Sequence, residues 1–508
     1  MCSGLFGWAI LTDGHDWGGD FAGYVMQARS IVEGSAQEFV EQNRFTIEQS
    51  SRQIAPAAYP WGTPAMLAPL YALFGLDMLA LKGLNLACYI LFLLSLAFLL
   101  RDRHPPSFLL FLLSLLAFNP YLILSLDKVL SDIPYLLLST TSVLLMGRTI
   151  VDGRPVISRA CDRAWLGFLM ALSVFTRGTG LVLIAVLAIT HAAKAAGRLW
   201  ALRVRRDLPP ARADGFAGHD GTPRDLFVEV LPYAVFLAGT LVWNSLLPEG
   251  GMSYYVAYYR SISLEEIKFH LGYYLDVFGD FFIGVPHREL LYGATIPFLV
   301  AGVLENPRRD YHLISYAFLN WLIHILWPPV QGLRYVFPLL PVYLHFVLVG
   351  LHWGMRALGG ASARAVKVLT LCLGLLVSFQ FAGFLFHHAL ENLSNDRSVV
   401  GGPYALHSQE MFAFVRQEIE KEAVVIFFKP RVMKMLTDRR SIMVNRPEDL
   451  SRGGYLCLYL GEDAYDQLPD GTVERLLREG RLERLYANPK FQVYRVNESV
   501  RADISASR

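Results

Sequence analysis

Ionisable side chains stand at several boundaries between polar and apolar sequence, and their types suit proton transfer and phosphate binding. Asp16 and Asp20 follow the first apolar segment and are separated by Trp17 and two glycines. Such carboxylates can act as a general base or ligate a divalent cation such as Mg²⁺ or Mn²⁺. Arg177 and Arg334 stand between apolar runs, and a guanidinium fork matches phosphate oxygens. The combination predicts group transfer from a lipid-linked phosphate, with the phosphate as leaving group, at the face of a membrane.

The same kinds of residue also have ordinary structural interpretations. Asp20 opens the helical stretch Asp20–Glu33, and Asp132 stands two residues before a proline, so either can be a helix N-cap. Lys128 can be an interfacial anchor that extends its ammonium group to water. Tyr24, one helical turn after Asp20, either orients that carboxylate or is an interfacial tyrosine. Because charges at membrane depth are costly, they are expected to be paired or functional, and the sequence leaves the choice open.

Composition indicates an integral membrane protein. The 508 residues are 54% hydrophobic and 13% aromatic, with a mean hydropathy of +0.36, which is more apolar than a soluble globular protein. The moderate hydropathy leaves room for sizeable polar parts outside the bilayer. The five cysteines have no paired spacing, so neither a disulfide framework nor a metal cluster is expected. We expect membrane lipid as a partner and no nucleic acid.

The apolar runs predict an α-helical polytopic protein with about eleven transmembrane helices. The first, within residues 1–12, has about half of the ~20 residues that a crossing needs, so it is expected to be incomplete. The segment Trp61–Phe74 is interrupted by prolines and is expected to be interfacial or re-entrant. The other ten runs are Leu79–Leu100, Ser107–Leu124, Ile133–Met146, Ala164–Phe175, Gly180–His191, Leu226–Leu247, Leu290–Leu304, Leu313–Trp327, Tyr335–Leu351 and Val366–Phe386.

The charges of the loops predict which side each loop faces. Alternate loops are rich in Lys and Arg, and by the positive-inside rule these loops face the cytoplasm. A membrane-embedded domain of residues 1–390, with a first external loop of residues 13–62, follows from this alternation. The basic residues are Arg101, Arg103, Arg148, Arg154, Arg159, Arg163, Lys194, Arg198, Arg203, Arg205, Arg206, Arg308, Arg309, Arg356, Arg364 and Lys367.

From about residue 405 the sequence has the pattern of a small soluble domain. A helical stretch, Ser408–Lys421, is followed by short β-branched and aromatic runs that turn and helical segments separate. The sequence there contains no Gly-rich phosphate loop and no metal-ligand spacing. Residues 405–498 therefore predict an extracytoplasmic α/β domain, for which support or acceptor recognition is a better expectation than catalysis.

Five short motifs occur in order within residues 1–343, on this predicted topology. The first places an acidic residue in the first external loop, and another follows as a proline-rich helix that ends in Phe-Gly. The motifs are Asp20-Phe21-Ala22-Gly23-Tyr24-Val25-Met26-Gln27-Ala28-Arg29, Tyr59-Pro60-Trp61-Gly62-Thr63-Pro64 through Leu73-Phe74-Gly75, Ser131-Asp132-Ile133-Pro134, Thr176-Arg177-Gly178-Thr179-Gly180 and Arg334-Tyr335-Val336-Phe337-Pro338-Leu339-Leu340-Pro341. In these motifs the chain resembles the GT-C family of membrane glycosyltransferases. The likeness is to its protein-mannosyltransferase and aminoarabinose-transferase type, including bacterial members with an RgtA/B/C/D-like domain.

The resemblance implies inverting transfer of a sugar from a polyprenyl-phosphate donor to a glycan, lipid or protein acceptor. The implied place is the outer face of a bacterial inner (cytoplasmic) membrane. The resemblance makes Asp20 the general base that deprotonates the acceptor, with Arg177 and Arg334 holding the lipid phosphate.

One departure from the family concerns a second acid. Members with two adjacent acids have Glu where this chain has Phe21, so Asp16 is the remaining candidate, and a divalent cation held by Asp16 and Asp20 stays an open question. The further candidate substrate-binding residues are Tyr24, Lys128, Asp132 and Tyr335.

Two other classes of protein fit parts of the sequence. Broken helices and charges near the membrane also suit a lipid or glycan transporter or flippase. A non-catalytic envelope assembly protein would use the outer domain to bind partners. Against transport, the sequence has no clear internal repeat, and its charges gather at one face rather than at mid-helix. A requirement for the Asp20 carboxylate would separate an enzyme from both alternatives.

Overall fold

The apolar runs fold as helices, and the polar C-terminal part folds as a mixed α/β unit. The computed structural model describes residues 2–206, 223–248, 262–327, 330–399, 401–461 and 465–497. The α-helices before residue 400 are α1 (Cys2–Ile10), α2 (Gly19–Val32), α3 (Ala36–Gln49), α4 (Gly62–Phe74), α5 (Met78–Leu100), α6 (Pro106–Ala117), α7 (Pro120–Leu124), α8 (Asp132–Met146), α9 (Arg159–Thr176), α10 (Val182–Arg206), α11 (Pro223–Leu246), α12 (Leu264–Asp276), α13 (Arg288–Glu305), α14 (Pro307–Ile325), α15 (Leu340–Leu358) and α16 (Gly360–Ser394).

Within the described ranges, six helical segments are long and apolar enough to cross a membrane, or seven if one bent pair forms a single crossing. The sequence predicts about eleven crossings. By length and composition alone, the described helices account for six or seven of them. The bent pair is α6 and α7, whose axes differ by 45°. Asn119 separates them because its side chain caps α7, accepting a hydrogen bond from the Leu122 amide at 3.0 Å. The six segments are Met78–Leu100, Asp132–Val151, Gly178–Gly197, Leu226–Leu246, Leu333–Leu358 and Gly360–Ser394.

Three charged residues of the predicted site lie at helix ends. Asp132 opens α8. Arg177 follows the last residue of α9 in an extended conformation, before the 3₁₀ turn Gly178–Leu181. Arg334 lies in a second 3₁₀ segment, Leu333–Leu339, which precedes α15. Pro338 in that segment has no amide hydrogen to donate, so an α-helix that began earlier would lack one of its backbone hydrogen bonds there.

Residues 13–62, predicted as the first external loop, contain two helices, α2 and α3. The sequence predicts α2, whereas α3 was not anticipated. Helix α4 then packs closely on α9, because Gly62 presents no side chain toward the backbone of Phe175 and Thr176. A Cβ atom at Gly62 would lie 2.6 Å from the carbonyl carbon of Phe175.

The C-terminal α/β unit consists of a five-stranded sheet and its helices. Strands β1, β2 and β3 run parallel to one another, and β5 pairs antiparallel with both β3 and β4. The strand order is β2-β1-β3-β5-β4. The elements are α17 (Leu406–Glu418), β1 (Val424–Ile426), α18 (Pro430–Thr437), β2 (Arg440–Ile442), β3 (Tyr455–Tyr459), α19 (Thr472–Arg478), β4 (Leu482–Ala487) and β5 (Phe491–Val496). A helix followed by short strands agrees with the pattern predicted from sequence, while the limits 405–498 for a separate domain stay a prediction.

The C-terminal α/β unit packs directly on residues 13–62, the predicted first external loop. Just beyond β2, Met443 accepts a backbone hydrogen bond from Ser51 at 2.9 Å and donates one to the Ser50 hydroxyl at 2.9 Å. Trp17 is buried among aromatic residues of the unit, with ring centroids 5.1 Å from Phe428 and 5.6 Å from Tyr459. The segment that contains both predicted acids is therefore held against the C-terminal unit by backbone hydrogen bonds and by an aromatic cluster.

Candidate active site

Asp20 lies in the first turn of α2, and its carboxylate is bound by a tyrosine from the other end of the first external loop. The N-cap position of α2 is Gly18, and the helix has no side-chain cap. Asp20 instead accepts a hydrogen bond from the hydroxyl of Tyr59, with an oxygen–oxygen distance of 2.5 Å. The geometry does not support the N-cap interpretation of Asp20.

Tyr59 is held on three sides. Its backbone amide and carbonyl form hydrogen bonds of 3.0 and 2.9 Å with the side-chain amide of Gln27. Its ring stacks on Tyr24, with centroids 4.8 Å apart. Its hydroxyl accepts a hydrogen bond of 2.8 Å from Nη1 of Arg431, a residue of α18. Burial and the charge of Asp20 raise the pKa of the Tyr59 hydroxyl well above its usual value, so this group remains a donor.

Helix α2 approaches Tyr59 closely because residue 23 is glycine. A Cβ atom there would lie 2.8 Å from the Tyr59 ring and 3.3 Å from Nη1 of Arg431. The hydroxyl of Tyr24 donates to the Ser131 hydroxyl at 3.0 Å, so α2 also contacts the residue just before Asp132. These contacts join the two acidic motifs that the sequence placed more than 100 residues apart.

Asp132 and Arg177 form a buried ion pair. The side chain of Asp132 is 6% exposed and that of Arg177 is 17% exposed. Ser131 holds the N-cap position of α8, so the carboxylate of Asp132 serves the ion pair rather than the helix end. The guanidinium carbon of Arg177 also lies 4.6 Å from the ring centroid of Tyr335. Arg177 is thus committed to a carboxylate and to an aromatic face.

Arg334 has a different environment. Its guanidinium carbon lies 5.4 Å from the ring centroid of Tyr335, and one nitrogen donates to the neutral side chain of Gln331 at 2.5 Å. No ion pair joins Arg334 to a carboxylate in the part of the chain that the structure describes. Arg177 lies over the same Tyr335 ring, so Arg334 is linked to the ion pair of Asp132 through that tyrosine. Arg334 is therefore a half-buried cation whose fork can accept an anion.

Asp16 and Lys128 form a separate and more exposed cluster. Asp16 bonds His15 at 2.8 Å and Lys128 at 3.3 Å, and both the Asp16 and Lys128 side chains are about half exposed. Although partial burial opposes ionisation, the hydrogen bond and charge of His15 and the charge of Lys128 lower the pKa of Asp16 well below its usual value. Asp16 is therefore ionised and bonds the ammonium group of Lys128 and the ring of His15, whereas Asp20 is bound to a neutral hydroxyl.

The two predicted metal ligands thus bond different groups. Across the described ranges, no group of three or more His, Cys, Asp or Glu side chains is arranged to hold a metal ion. The donor set needed for a divalent cation is not assembled around Asp16 and Asp20, so no chemical step is derived through a metal.

Sequence reasoning missed Tyr59 and Arg431 as parts of the site. Tyr59 begins one of the five motifs, but nothing in its sequence context indicates a bond to Asp20. Arg431 lies 372 residues beyond Tyr59, and no local pattern marks it. Lys82 was missed as well: its side chain is fully buried near the start of α5 and forms an ion pair of 2.6 Å with Asp127.

Comparison with solved structures identifies proteins with the same fold. The aminoarabinose transferase ArnT of Cupriavidus metallidurans, bound to undecaprenyl phosphate, is 14% identical, with a TM-score of 0.60 over 98% of this chain and 97% of that chain. Its apo structure gives 14% identity and a TM-score of 0.58, over 98% and 96%. The apo oligosaccharyltransferase of Archaeoglobus fulgidus gives 12% identity and a TM-score of 0.51, over 90% and 69%.

No family model and no curated protein matches this sequence. At the identities found, the structural likeness establishes the fold alone. That fold is the GT-C fold of membrane glycosyltransferases, which confirms, at the level of the fold, the resemblance inferred from the five motifs.

Proposed function

We propose that this GT-C-fold protein is a membrane glycosyltransferase that moves a sugar from a polyprenyl-phosphate donor to an envelope acceptor. The observation that carries the proposal is that one continuous set of contacts links Asp20, held by a neutral donor, to Arg334, a cation without a carboxylate partner in the described ranges. The contacts run through Tyr59, Tyr24, Ser131, Asp132, Arg177 and Tyr335. A carboxylate in this state can accept a proton, and the guanidinium can bind a phosphate group. The structure of ArnT with undecaprenyl phosphate supports the choice of lipid.

The proposed reaction uses Asp20 as a general base. Asp20 takes the proton of an acceptor hydroxyl or amine, and the acceptor atom forms a bond to the anomeric carbon of the sugar. The bond between that carbon and the phosphate oxygen breaks, and the phosphate leaves with the electron pair. Arg334 stabilises the negative charge that develops on the phosphate, and attack from the face opposite the leaving group inverts the anomeric configuration.

The remaining residues of the prediction have supporting roles. Arg177 holds Asp132 and Tyr335 in place and does not bind the phosphate itself. Its effect on the phosphate is indirect, because Tyr335 in turn contacts Arg334. The positions of Asp16, in the first external loop, and Lys128, in the segment before α8, suit contacts with a polar acceptor or sugar, because the two half-exposed side chains form one ion pair. We place the site on the outer face of a bacterial inner membrane, with about eleven crossings when helices too short for the length criterion are included.

The test is a deletion strain complemented with the wild-type protein or with Asp20→Asn at equal membrane levels. Mass spectrometry of envelope glycans is expected to show loss of one sugar in the deletion strain and its return only with the wild type. A general base contributes about 10²–10⁴-fold to rate, so Asp20→Asn should leave at most a trace of the sugar. Asp13→Asn, in an exposed aspartate of the same loop, is the matched control and should restore the sugar.

Three other outcomes would reject parts of the proposal. Restoration by Asp20→Asn would remove Asp20 as the base. An unchanged glycan profile in the deletion strain would favour transport or envelope assembly over catalysis. Failure of Asp16→Asn to restore the sugar would make Asp16 a required residue and reject a merely supporting role for it.

A further inference from the structure

We infer that Arg431 of the C-terminal α/β unit is a positioning residue for the base, acting through Tyr59. This inference rests on the proposed function, because it assigns a role within the same site. It changes the expected role of the C-terminal unit from support or acceptor recognition to completion of the active centre.

The contacts form a continuous chain from the C-terminal unit to Asp20. Arg431 lies on α18, which begins with the proline that follows Lys429, and it is only 4% exposed. Its Nη1 donates to the Tyr59 hydroxyl at 2.8 Å, and that hydroxyl donates to Asp20 at 2.5 Å. The hydroxyl of Tyr59 has one hydrogen, so the donation from Arg431 directs that hydrogen toward the carboxylate.

All three guanidinium nitrogens of Arg431 bind the first external loop. Besides Tyr59, they bond the Asn43 side chain at 3.2 Å and the carbonyl of Pro56. The guanidinium carbon also lies 4.9 Å from the centroid of the Tyr59 ring. If Arg431 formed an ion pair with a carboxylate, that pair alone could explain the residue as a contact that docks the C-terminal unit. In the described ranges no carboxylate forms an ion pair with Arg431. Its guanidinium group instead bonds uncharged groups of the first external loop, among them the Tyr59 hydroxyl that donates to Asp20.

The position of the base therefore depends on docking of the C-terminal unit. Without Arg431, Tyr59 would lose the donor that orients its hydroxyl, and Asp20 could turn away from the acceptor. Misplacement of a reacting group by about 1 Å can lower the rate about 10²-fold. Ground-state binding of the lipid donor, which we assign to Arg334, should not change.

The experiment compares initial rates of the full-length purified protein in lipid nanodiscs, for wild type, Arg431→Met, Arg431→Lys and Tyr59→Phe. The probes are undecaprenyl-phosphate-linked hexoses and pentoses, with membranes of the deletion strain as acceptor. We expect Arg431→Met to lower kcat about 10–100-fold with an unchanged KM for the donor. Arg431→Lys, which keeps a donor near Tyr59, should recover part of that loss. The double variant Arg431→Met/Tyr59→Phe should be no slower than the slower single variant, because both changes break the same chain.

Arg439→Met is the matched control for damage to the C-terminal unit. Within the described contacts, the side chain of Arg439 bonds only backbone carbonyls of its own unit, at Ile419, Thr437 and Arg416. The substitution Arg439→Met should lower the melting temperature without changing kcat of the folded protein. If Arg431→Met behaves as Arg439→Met does, or if the two single variants add in the double, the positioning role is rejected.

The same assay separates this inference from the proposed function. Loss of transfer in Asp20→Asn with wild-type kcat in both Arg431→Met and Tyr59→Phe would reject the positioning role and leave the base in place. Transfer that survives Asp20→Asn, or is absent from the wild type, would reject the proposed function itself.

Discussion

The ion pair of Asp132 and Arg177 is a buried charged contact of the candidate site. Removing one member leaves the other charge without a partner, which costs about 3–5 kcal/mol for a buried pair. We predict that Arg177→Gln lowers the free energy of unfolding by about that amount and lowers the melting temperature in detergent accordingly. Because Arg177 also lies over Tyr335, the phosphate region should lose order at the same time.

The double variant Arg177→Gln/Asp132→Asn is the control for this prediction. It removes both charges, so it should be more stable than Arg177→Gln alone, as measured by thermal unfolding. Equal stability of the single and double variants would mean that the isolated Asp132 carboxylate carries no penalty, and would contradict the assignment of a structural role to this pair.

Arg334 should instead affect binding of the lipid. A hydrogen bond to a charged group contributes about 1.5–3 kcal/mol, so Arg334→Gln is expected to weaken undecaprenyl phosphate binding about 10–100-fold. Arg334→Lys should have an intermediate affinity, because lysine keeps the charge but lacks the fork. Native mass spectrometry of each variant with undecaprenyl phosphate measures both affinities.

A matched arginine is available for the Arg334 prediction. Arg288 is a partly exposed arginine that already bonds Asp280 and Glu289, each at 3.0 Å. Arg288→Gln should therefore leave undecaprenyl phosphate binding unchanged. A similar loss of affinity in both variants would indicate a general effect of positive charge rather than a phosphate site at Arg334.

Individual elements were predictable where the sequence signal is a long apolar run. The run Leu79–Leu100 predicts α5 (Met78–Leu100), and Leu226–Leu247 predicts α11 apart from its start. The run Tyr335–Leu351 predicts its helix less well, because Pro338 keeps the first residues in a 3₁₀ segment and α15 begins at Leu340. Apolar composition determines where a helix runs, whereas proline and capping side chains determine where it begins.

The candidate site was predictable in its types of residue but not in its pairings. Motif spacing indicated Asp20, Asp132, Arg177 and Arg334. It could not indicate that Asp132 pairs with Arg177, whereas among the described residues no carboxylate forms an ion pair with Arg334. Nor could it indicate Arg431, since the contact with Tyr59 exists only when the C-terminal unit packs on the first external loop. Pairings of this kind depend on tertiary packing and leave no local pattern.

Close packing of α13 on α15 positions the segment that carries Arg334. Gly302 and Gly350 face each other, and a Cβ atom on either would overlap a backbone carbonyl of the other helix. Small residues permit such approach between membrane helices. We predict that Gly350→Ala lowers the free energy of unfolding by about 1–3 kcal/mol, because the added methyl group must push the helices apart.

Gly354→Ala is the control on the same helix. A Cβ atom there meets no other heavy atom within 4 Å, so alanine should leave stability unchanged or raise it slightly. Thermal unfolding of both variants in the same detergent gives the comparison. If Gly354→Ala is as destabilising as Gly350→Ala, intrinsic helix effects and not the contact with α13 would explain the loss.

At the scale of the whole molecule, the proposed reaction requires Asp20 and the C-terminal unit to lie on the outer side of the membrane. They share one side, because Arg431 and Trp17 bind the unit to the first external loop. The loops rich in Lys and Arg predict that the opposite side is cytoplasmic. In a variant without the five native cysteines, we predict that Asp470→Cys reacts with a membrane-impermeant maleimide in right-side-out vesicles. Arg308→Cys should react only in inside-out vesicles.

Both new cysteines replace exposed residues, so the difference in labelling reports the side of the membrane and not burial. The reverse pattern would place Asp20 in the cytoplasm. The fold and the chain from Arg431 to Asp20 would then stand, but an envelope acceptor could not reach the base. Labelling of both positions from one side would contradict the alternation of the loops itself. The orientation thus decides which acceptors the proposed site can use, because the proposed base Asp20 and the contact from Arg431 lie on the same side as the C-terminal unit.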